Sequence, residues 1–224
     1  LGDNNVPHVD VRSMLVTKYS KDGKSDHIYL GTDGGLSFSK DGGKTFINLN
    51  GSELQLTQFY GLGSSPFSGI ISAGSQDNSI ISYEPTKKKW SYNVRGDGYD
   101  VAYSQTKPGA AYGQYNSRRM SGTNNDLVPF GKNLRLVKEN SNNRKTIVAH
   151  KNGDLFFAGQ NLFHLPKRAT KWKEYKTPLP YKSLTMAVSP SDPDVIYMSG
   201  LWGMLVKSSD GGKTWKNISD KVIV

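Results

Sequence analysis

An eight-residue motif, identical at six positions, occurs twice near opposite ends of this 224-residue chain, as Ser39-Lys40-Asp41-Gly42-Gly43-Lys44-Thr45-Phe46 and Ser208-Ser209-Asp210-Gly211-Gly212-Lys213-Thr214-Trp215. A matching apolar run precedes each copy, Ile28-Tyr29-Leu30 in the first and Ile196-Tyr197-Met198 in the second. The copies stand 169 positions apart, which is four periods of about 42 residues, so the chain is built of repeated supersecondary units. The chemistry of the pattern is that of a tight hairpin. Asp41 and Asp210 can accept hydrogen bonds from N–H groups inside the turn, and the glycines take positive φ without strain. Ser39, Thr45, Ser208 and Thr214 can add local side-chain bonds, while Phe46 and Trp215 pack beneath the turn. The turn alone accounts for both aspartates.

Degenerate copies fill the interval. Second strands are expected at 28–31, 70–74, 110–115, 154–159 and 195–199, with Trp90, Trp172 and Trp215 closing individual repeats. Clusters of Gly, Asn, Asp, Ser and Pro separate the strands, and no long segment has helical periodicity, which favours an all-β chain. Residues 120–135 are the least regular and are expected to be an inserted loop. The octapeptide resembles the Asp-box, or BNR repeat. That resemblance implies an all-β propeller with about five visible blades of four-stranded antiparallel sheets. Asp-box hairpins, formed by Ser39, Asp41, Gly43, Thr45 and Phe46 and by Ser208, Asp210, Gly212, Thr214 and Trp215, then lie in the first and last blades. The expectation is one propeller domain over residues 1–224, either whole or a piece of a longer ring.

The absence of cysteine excludes disulfides, thiolate nucleophiles and cysteine-based zinc sites. No window approaches the ~18 to 20 consecutive apolar residues of a membrane-spanning helix. Lys and Arg number 29 against 19 Asp and Glu, a net charge of +10. Such a surface attracts acidic polymers. The cations are mostly lysine and scattered, and no nucleic-acid recognition motif accompanies them. The start at Leu1 fits a mature fragment of a longer protein, with any export signal outside it.

Further motifs occur in order: His8-Val9-Asp10-Val11-Arg12, Gly31-Thr32-Asp33-Gly34-Gly35, Thr57-Gln58-Phe59-Tyr60, Gly74-Ser75-Gln76-Asp77-Asn78 and Gly96-Asp97-Gly98. Their order resembles bacterial BNR-repeat propellers related to xyloglucanases, the sortilin ectodomain and photosystem II assembly factors. That superfamily holds hydrolases, lectins and assembly proteins, so fold membership does not choose the function. The main expectation is a non-catalytic module of an exported bacterial protein, extracellular or in the cell envelope, that recognises a polysaccharide or protein. His8, Asp10, Gln58, Tyr60, Gln76, Asp77, Asp97 and Gln114 fall near strand ends and could form a polar rim. Tyr60, Tyr112, Tyr115 and Trp202 are candidate stacking platforms.

Two alternatives stand beside it. One is a glycoside hydrolase, which needs two carboxylates flanking the scissile bond. The resemblance to xyloglucanases suggests Asp33 in Thr32-Asp33-Gly34-Gly35 and Asp97 in Gly96-Asp97-Gly98 as that pair. The other is a scaffold or assembly factor. A sialidase is disfavoured, because no Arg-Ile-Pro-like segment precedes the first octapeptide and Glu53, Glu84, Glu139 and Glu174 have no nucleophile setting. His8, His27, His150 and His164 lack metal-ligand spacing, and no phosphate loop is present. The expectation is therefore no metal and no cofactor.

Overall fold

The computed structural model describes residues 6–18, 26–50, 57–75, 78–94, 96–115, 119–123, 146–181 and 183–221. The chain divides into two compact units, Leu1–Gln58 and Phe59–Val224. Unit 1 holds one antiparallel sheet in the order β1 (Val11–Thr17), β2 (His27–Thr32), β3 (Gly35–Ser39) and β4 (Ile47–Asn48). Unit 2 begins with a second such sheet, β5 (Gly61–Ser64), β6 (Ile71–Ser75), β7 (Ser79–Glu84) and β8 (Lys89–Val94). The third sheet has three described strands, β9 (Gly98–Tyr103), β10 (Ala111–Tyr115) and β11 (Arg119–Thr123). The fourth comprises β12 (Thr146–Ala149), β13 (Leu155–Ala158), β14 (Leu162–Leu165) and β15 (Lys173–Tyr175). The fifth comprises β16 (Thr185–Val188), β17 (Ile196–Ser199), β18 (Leu205–Ser208) and β19 (Lys216–Asn217).

All strand pairs are antiparallel neighbours in sequence, as short turns between apolar runs dictate. The five expected second strands coincide with β2, β6, β10, β13 and β17 to within a residue or two. One expectation is corrected. Within the segment read as an inserted loop, Arg119–Thr123 pairs along β10, with Gln114 opposite Met120 and Tyr115 opposite Arg119. The rest of that segment, from residue 124, lies outside the described residues.

Period-two alternation sends neighbouring side chains to opposite faces, and β13 shows what this does in unit 2. Phe156 joins Leu162, Met186, Ile196, Met198 and Val206, while Phe157 joins Ala102, Ile147, Leu155 and Phe163. Burying each large apolar side chain contributes roughly 1.5–3 kcal/mol. A third cluster, Ile70, Ile80, Val101, Tyr103 and Ala111, fills the space between the second and third sheets.

Close contacts fix the direction of the first strands in unit 2. Gly61 lies against Asp100 and Gly63 against Val101, so β5 and β9 run parallel. The Ile147 N–H donates to Asp100, and Gly153 lies against Thr106, so β12 follows β9 in the same direction. The Ser183 N–H donates to the Gly159 carbonyl, and His150 Nε2 sits 3.0 Å from the Ser189 carbonyl. The four sheets of unit 2 therefore share one end for the turns between second and third strands and the opposite end for the other turns.

Both octapeptides form hairpins at that opposite end of their own sheets, with nearly identical geometry. Ser208 Oγ donates to Asp210 Oδ1 at 2.8 Å and accepts from the Gly212 N–H at 2.8 Å. Asp210 in turn accepts from the Thr214 N–H at 2.9 Å and hydroxyl at 2.6 Å. Ser39, Gly43, Asp41 and Thr45 repeat these bonds at 2.7, 2.9, 2.9 and 2.5 Å. The paired glycines take φ of 72° and 89° in one hairpin and 73° and 93° in the other, where a Cβ would be strained. Donation by Thr45 and Thr214 holds Asp41 and Asp210 below the ordinary carboxylate range. Trp215 packs on the Phe156 cluster, and Phe46 lies beneath Gly43.

Candidate functional site

In unit 1 the register Val11–Thr32 and Thr32–Gly35 brings the Asp33-Gly34 turn to the start of β1. Thr32 Oγ1 accepts the Gly34 N–H at 3.2 Å and donates to the Gly35 carbonyl at 3.1 Å. The Asn50 carboxamide accepts the Leu36 N–H at 3.1 Å and donates to the Gly34 carbonyl. The His8 ring covers Gly34, leaving no space for a side chain there. Rigidly held in this way, the turn walls an open cleft of about 570 Å³ lined by Gly31, Thr32, Asp33, Leu36, Thr57 and Gln58.

Asp33 is clamped by Arg12, whose Nε and Nη2 donate to its two carboxylate oxygens at 2.8 and 2.7 Å. The Arg12 bond, reinforced by the charges of Arg12 and His8, holds the Asp33 carboxyl below its ordinary value. An ionised Asp33 can accept hydrogen bonds or act as a base, but at neutral pH it has no proton to donate to a leaving group.

Unit 2 presents two clusters at its corresponding end. At the second and third sheets, Tyr60 stacks on Tyr99 with centroids 6.0 Å apart. The Tyr99 hydroxyl donates to Asp97 Oδ2 at 3.1 Å. At the fifth sheet, Thr185 opposes Ser199 and Ser199 opposes Leu205, so the start of β16 meets the turn between β17 and β18. That turn is a single 3-10 turn, Leu201–Gly203, closed by the Gly200 N–H on the Met204 carbonyl at 2.8 Å. Trp202 within it has φ 56°, ψ 35° and is 76% exposed. A non-glycine residue in this left-handed conformation costs roughly 1–2 kcal/mol. The Tyr181 ring meets the indole edge-to-face at 5.1 Å and is itself 50% exposed. The turn thus holds a large aromatic surface in water at a backbone cost, as functional loops do.

The residues expected from sequence are distributed unevenly. Asp33 and Gln58 line the cleft, and His8 adjoins it. Asp10 is exposed, with φ 59°. Tyr60, Asp97 and Trp202 lie at the described end of unit 2. Gln114 is 1% exposed, so its side chain is buried rather than open to solvent. Gln76, Asp77 and the Tyr115 side chain lie outside the described residues. The two aspartates of the hydrolase alternative belong to different units, Asp33 to unit 1 and Asp97 to unit 2.

Three participants escaped sequence reading. Arg12 and Tyr181 find their partners only through folding. Asp100, on β9, accepts the Ile147 N–H at 2.8 Å and the Val101 N–H at 3.0 Å, and burial pushes its carboxyl up to about 6. A charged residue within an apolar strand pattern, with Tyr99 and Val101 on either side, is the one signal that marked it. Among the described residues, no cluster of His, Cys, Asp or Glu is arranged to hold a metal ion. No helix among them is long and apolar enough to cross a membrane.

No protein-family model matches the chain. No curated protein matches it by sequence. Solved structures do resemble it. A GH74 enzyme from Niastella koreensis superposes with a TM-score of 0.60 at 16% identity, over 86% of this chain and 36% of that one. The GH74 xyloglucanase from Xanthomonas campestris gives 0.54 at 16% identity, over 85% and 36%. YCF48 bound to D1 peptide gives 0.38 at 17% identity, over 98% and 85%, a level that supports no comparison of site or function. The chain thus spans about a third of the length of the two GH74 enzymes, and the likeness establishes an all-β fold of propeller type.

Proposed function

We propose that this chain is a non-catalytic recognition module that binds a polysaccharide through the turns joining second and third strands. The observation that carries this reading is the exposed Trp202–Tyr181 pair on its strained turn. An indole face offers a pyranose ring a flat apolar surface, and the Tyr181 hydroxyl can bond a sugar hydroxyl beside it. The Arg12–Asp33 clamp supports the non-catalytic part, since a carboxylate tied to a guanidinium is a poor general acid. The octapeptide hairpins are read as Asp-boxes with a structural role, and the parent protein as an exported bacterial one.

Glycoside hydrolysis is the second reading. An ionised carboxylate in a cleft, on a Thr-Asp-Gly-Gly turn, favours it. The chain is incubated with neutral and acidic polysaccharides while retention and new reducing ends are recorded. Retention that Trp202→Ala abolishes, without new reducing ends, supports recognition. Reducing ends that disappear in Asp33→Asn or Asp97→Asn overturn it in favour of a hydrolase. Silence in both assays overturns the polysaccharide reading and leaves a protein partner or scaffold role.

A further inference from the structure

The end of unit 2 opposite Trp202 has its own character. In the fifth sheet the hairpin between third and fourth strands is the octapeptide, whose aspartate is held inside the turn. The equivalent hairpins of the second and fourth sheets have different chemistry. They read Glu84-Pro85-Thr86-Lys87-Lys88-Lys89-Trp90 and Pro166-Lys167-Arg168-Ala169-Thr170-Lys171-Trp172. Each has a proline at its first or second position, carries three cations and closes on Lys-Trp. The tightening bonds come from backbone: the Lys88 N–H donates to the Pro85 carbonyl at 3.3 Å, and the Ala169 N–H to the Pro166 carbonyl at 2.8 Å.

Because β5, β9 and β12 run in one direction, the turns that follow them emerge at this same end. They add Lys107 in the third sheet and Lys151 in the fourth, both exposed. Gly153 lies between Thr106 and the Lys167 stem, which joins the cations of the third and fourth sheets, while the lysine hairpin of the second sheet emerges at the same end. The carboxylates within it are already engaged. Glu84 pairs with Lys87 at 3.1 Å. Asp154 accepts the Lys167 N–H at 2.8 Å and faces His164 Nε2 at 3.0 Å. The patch ends at the fifth sheet, where Asp192 and Asp194 carry the opposite charge.

Two exposed aromatic residues separate this surface from a general polyanion site. Phe67, at the tip of the turn after β5, is 49% exposed. That turn is held by Ser65 Oγ, which accepts the Phe67 and Ser68 N–H groups, and it abuts Pro85 of the lysine hairpin. Trp90, at the base of the same hairpin, is 56% exposed. A phenyl ring at a tip, an indole behind it and a field of lysines suit a lipid interface, where rings enter the headgroup layer and ammonium groups stay in water. The cations are nearly all lysine, which suits a diffuse negative surface better than bidentate recognition of one phosphate.

We propose that this end of unit 2 is a docking surface for an anionic lipid membrane, with Phe67 and Trp90 entering the interface and the lysine hairpins attracting headgroup phosphates. It uses the opposite end from the polysaccharide reading and does not rest on it. The full chain is sedimented with phosphatidylcholine vesicles with and without phosphatidylglycerol, at low and high salt. Partitioning is expected only onto the phosphatidylglycerol vesicles and is lost at high salt. Each unit of positive charge lost weakens partitioning about fivefold. Lys167→Glu/Arg168→Glu and Lys87→Glu/Lys88→Glu each lower it more than tenfold, with circular dichroism unchanged. Phe67→Ala weakens vesicle binding but not retention on heparin, and Trp202→Ala leaves vesicle binding intact. Absence of partitioning onto phosphatidylglycerol vesicles overturns the proposal. So does vesicle binding insensitive to Phe67→Ala, or retention on heparin or single-stranded DNA without vesicle binding; each makes the patch a site for soluble polyanions.

Discussion

Replacing Asp100 by Asn separates the cost of a buried carboxylate from its hydrogen bonds. Asp100 stands between the first strands of the third and fourth sheets, and burial raises its carboxyl from 3.8 to about 6 despite the Ile147 and Val101 N–H groups. Ionisation is therefore harder in the folded chain than in the unfolded one. The contribution of this group to stability is complete below pH 4 and is lost as pH rises to about 6. At 1.36 kcal/mol per pH unit, the gap amounts to about 3 kcal/mol. In Asp100→Asn the group is neutral at every pH. Its carbonyl accepts one of the two N–H groups, but its NH2 cannot accept the other, which costs about 1–3 kcal/mol at every pH. The variant should therefore be less stable than wild type by about 1–3 kcal/mol at pH 4, and its stability relative to wild type should rise by about 3 kcal/mol between pH 4 and pH 7. Urea unfolding followed by tryptophan fluorescence measures this directly, because Trp90, Trp172, Trp202 and Trp215 all lie in unit 2. The hairpin aspartates have lowered values, so their stabilisation is present above pH 3.8 and lost below it. They leave the window from pH 4 to 6 to Asp100. A wild-type-to-variant difference that is the same at pH 4 and pH 7 refutes the reasoning.

Three further outcomes are expected. Ser208→Ala leaves the buried Gly212 N–H without its acceptor and removes a donor to Asp210; chemical denaturation should show a loss of about 1–3 kcal/mol. Trp202→Gly relieves the left-handed strain at φ 56°, so thermal unfolding should show a gain of about 1 kcal/mol, less the added chain entropy of glycine, while polysaccharide retention is lost. Arg12→Met removes the clamp on Asp33, whose titration, followed by carboxyl carbon NMR, should move up toward the ordinary value.

Most of what depends on local pattern was legible, apart from β11 at the start of the segment read as an inserted loop, and what depends on distant partners was not. β2, β6, β10, β13 and β17 were visible because an apolar run bounded by Gly, Asn and Pro is a local instruction. The octapeptide hairpins were visible for the same reason, since every side-chain bond within them spans at most four residues. Gln114 reads as a rim residue because it lies near a strand end, but in the fold it is buried.

The sequence alone determined that the chain is all-β, where its turns fall, how often the unit repeats and that its surface is basic. Each follows from interactions between residues close in sequence or from composition. The tertiary structure decided that Arg12 neutralises Asp33, 21 residues away, and that Asp100 meets the Ile147 N–H, 47 residues away. It also decided that Tyr181 stands edge-on to Trp202 and that the lysine hairpins of two sheets share one end. The Asp100 contact and the shared end of the lysine hairpins depend on the direction of each sheet relative to the next. Close contacts at Gly61, Gly63 and Gly153 set that direction, and no local pattern encodes it.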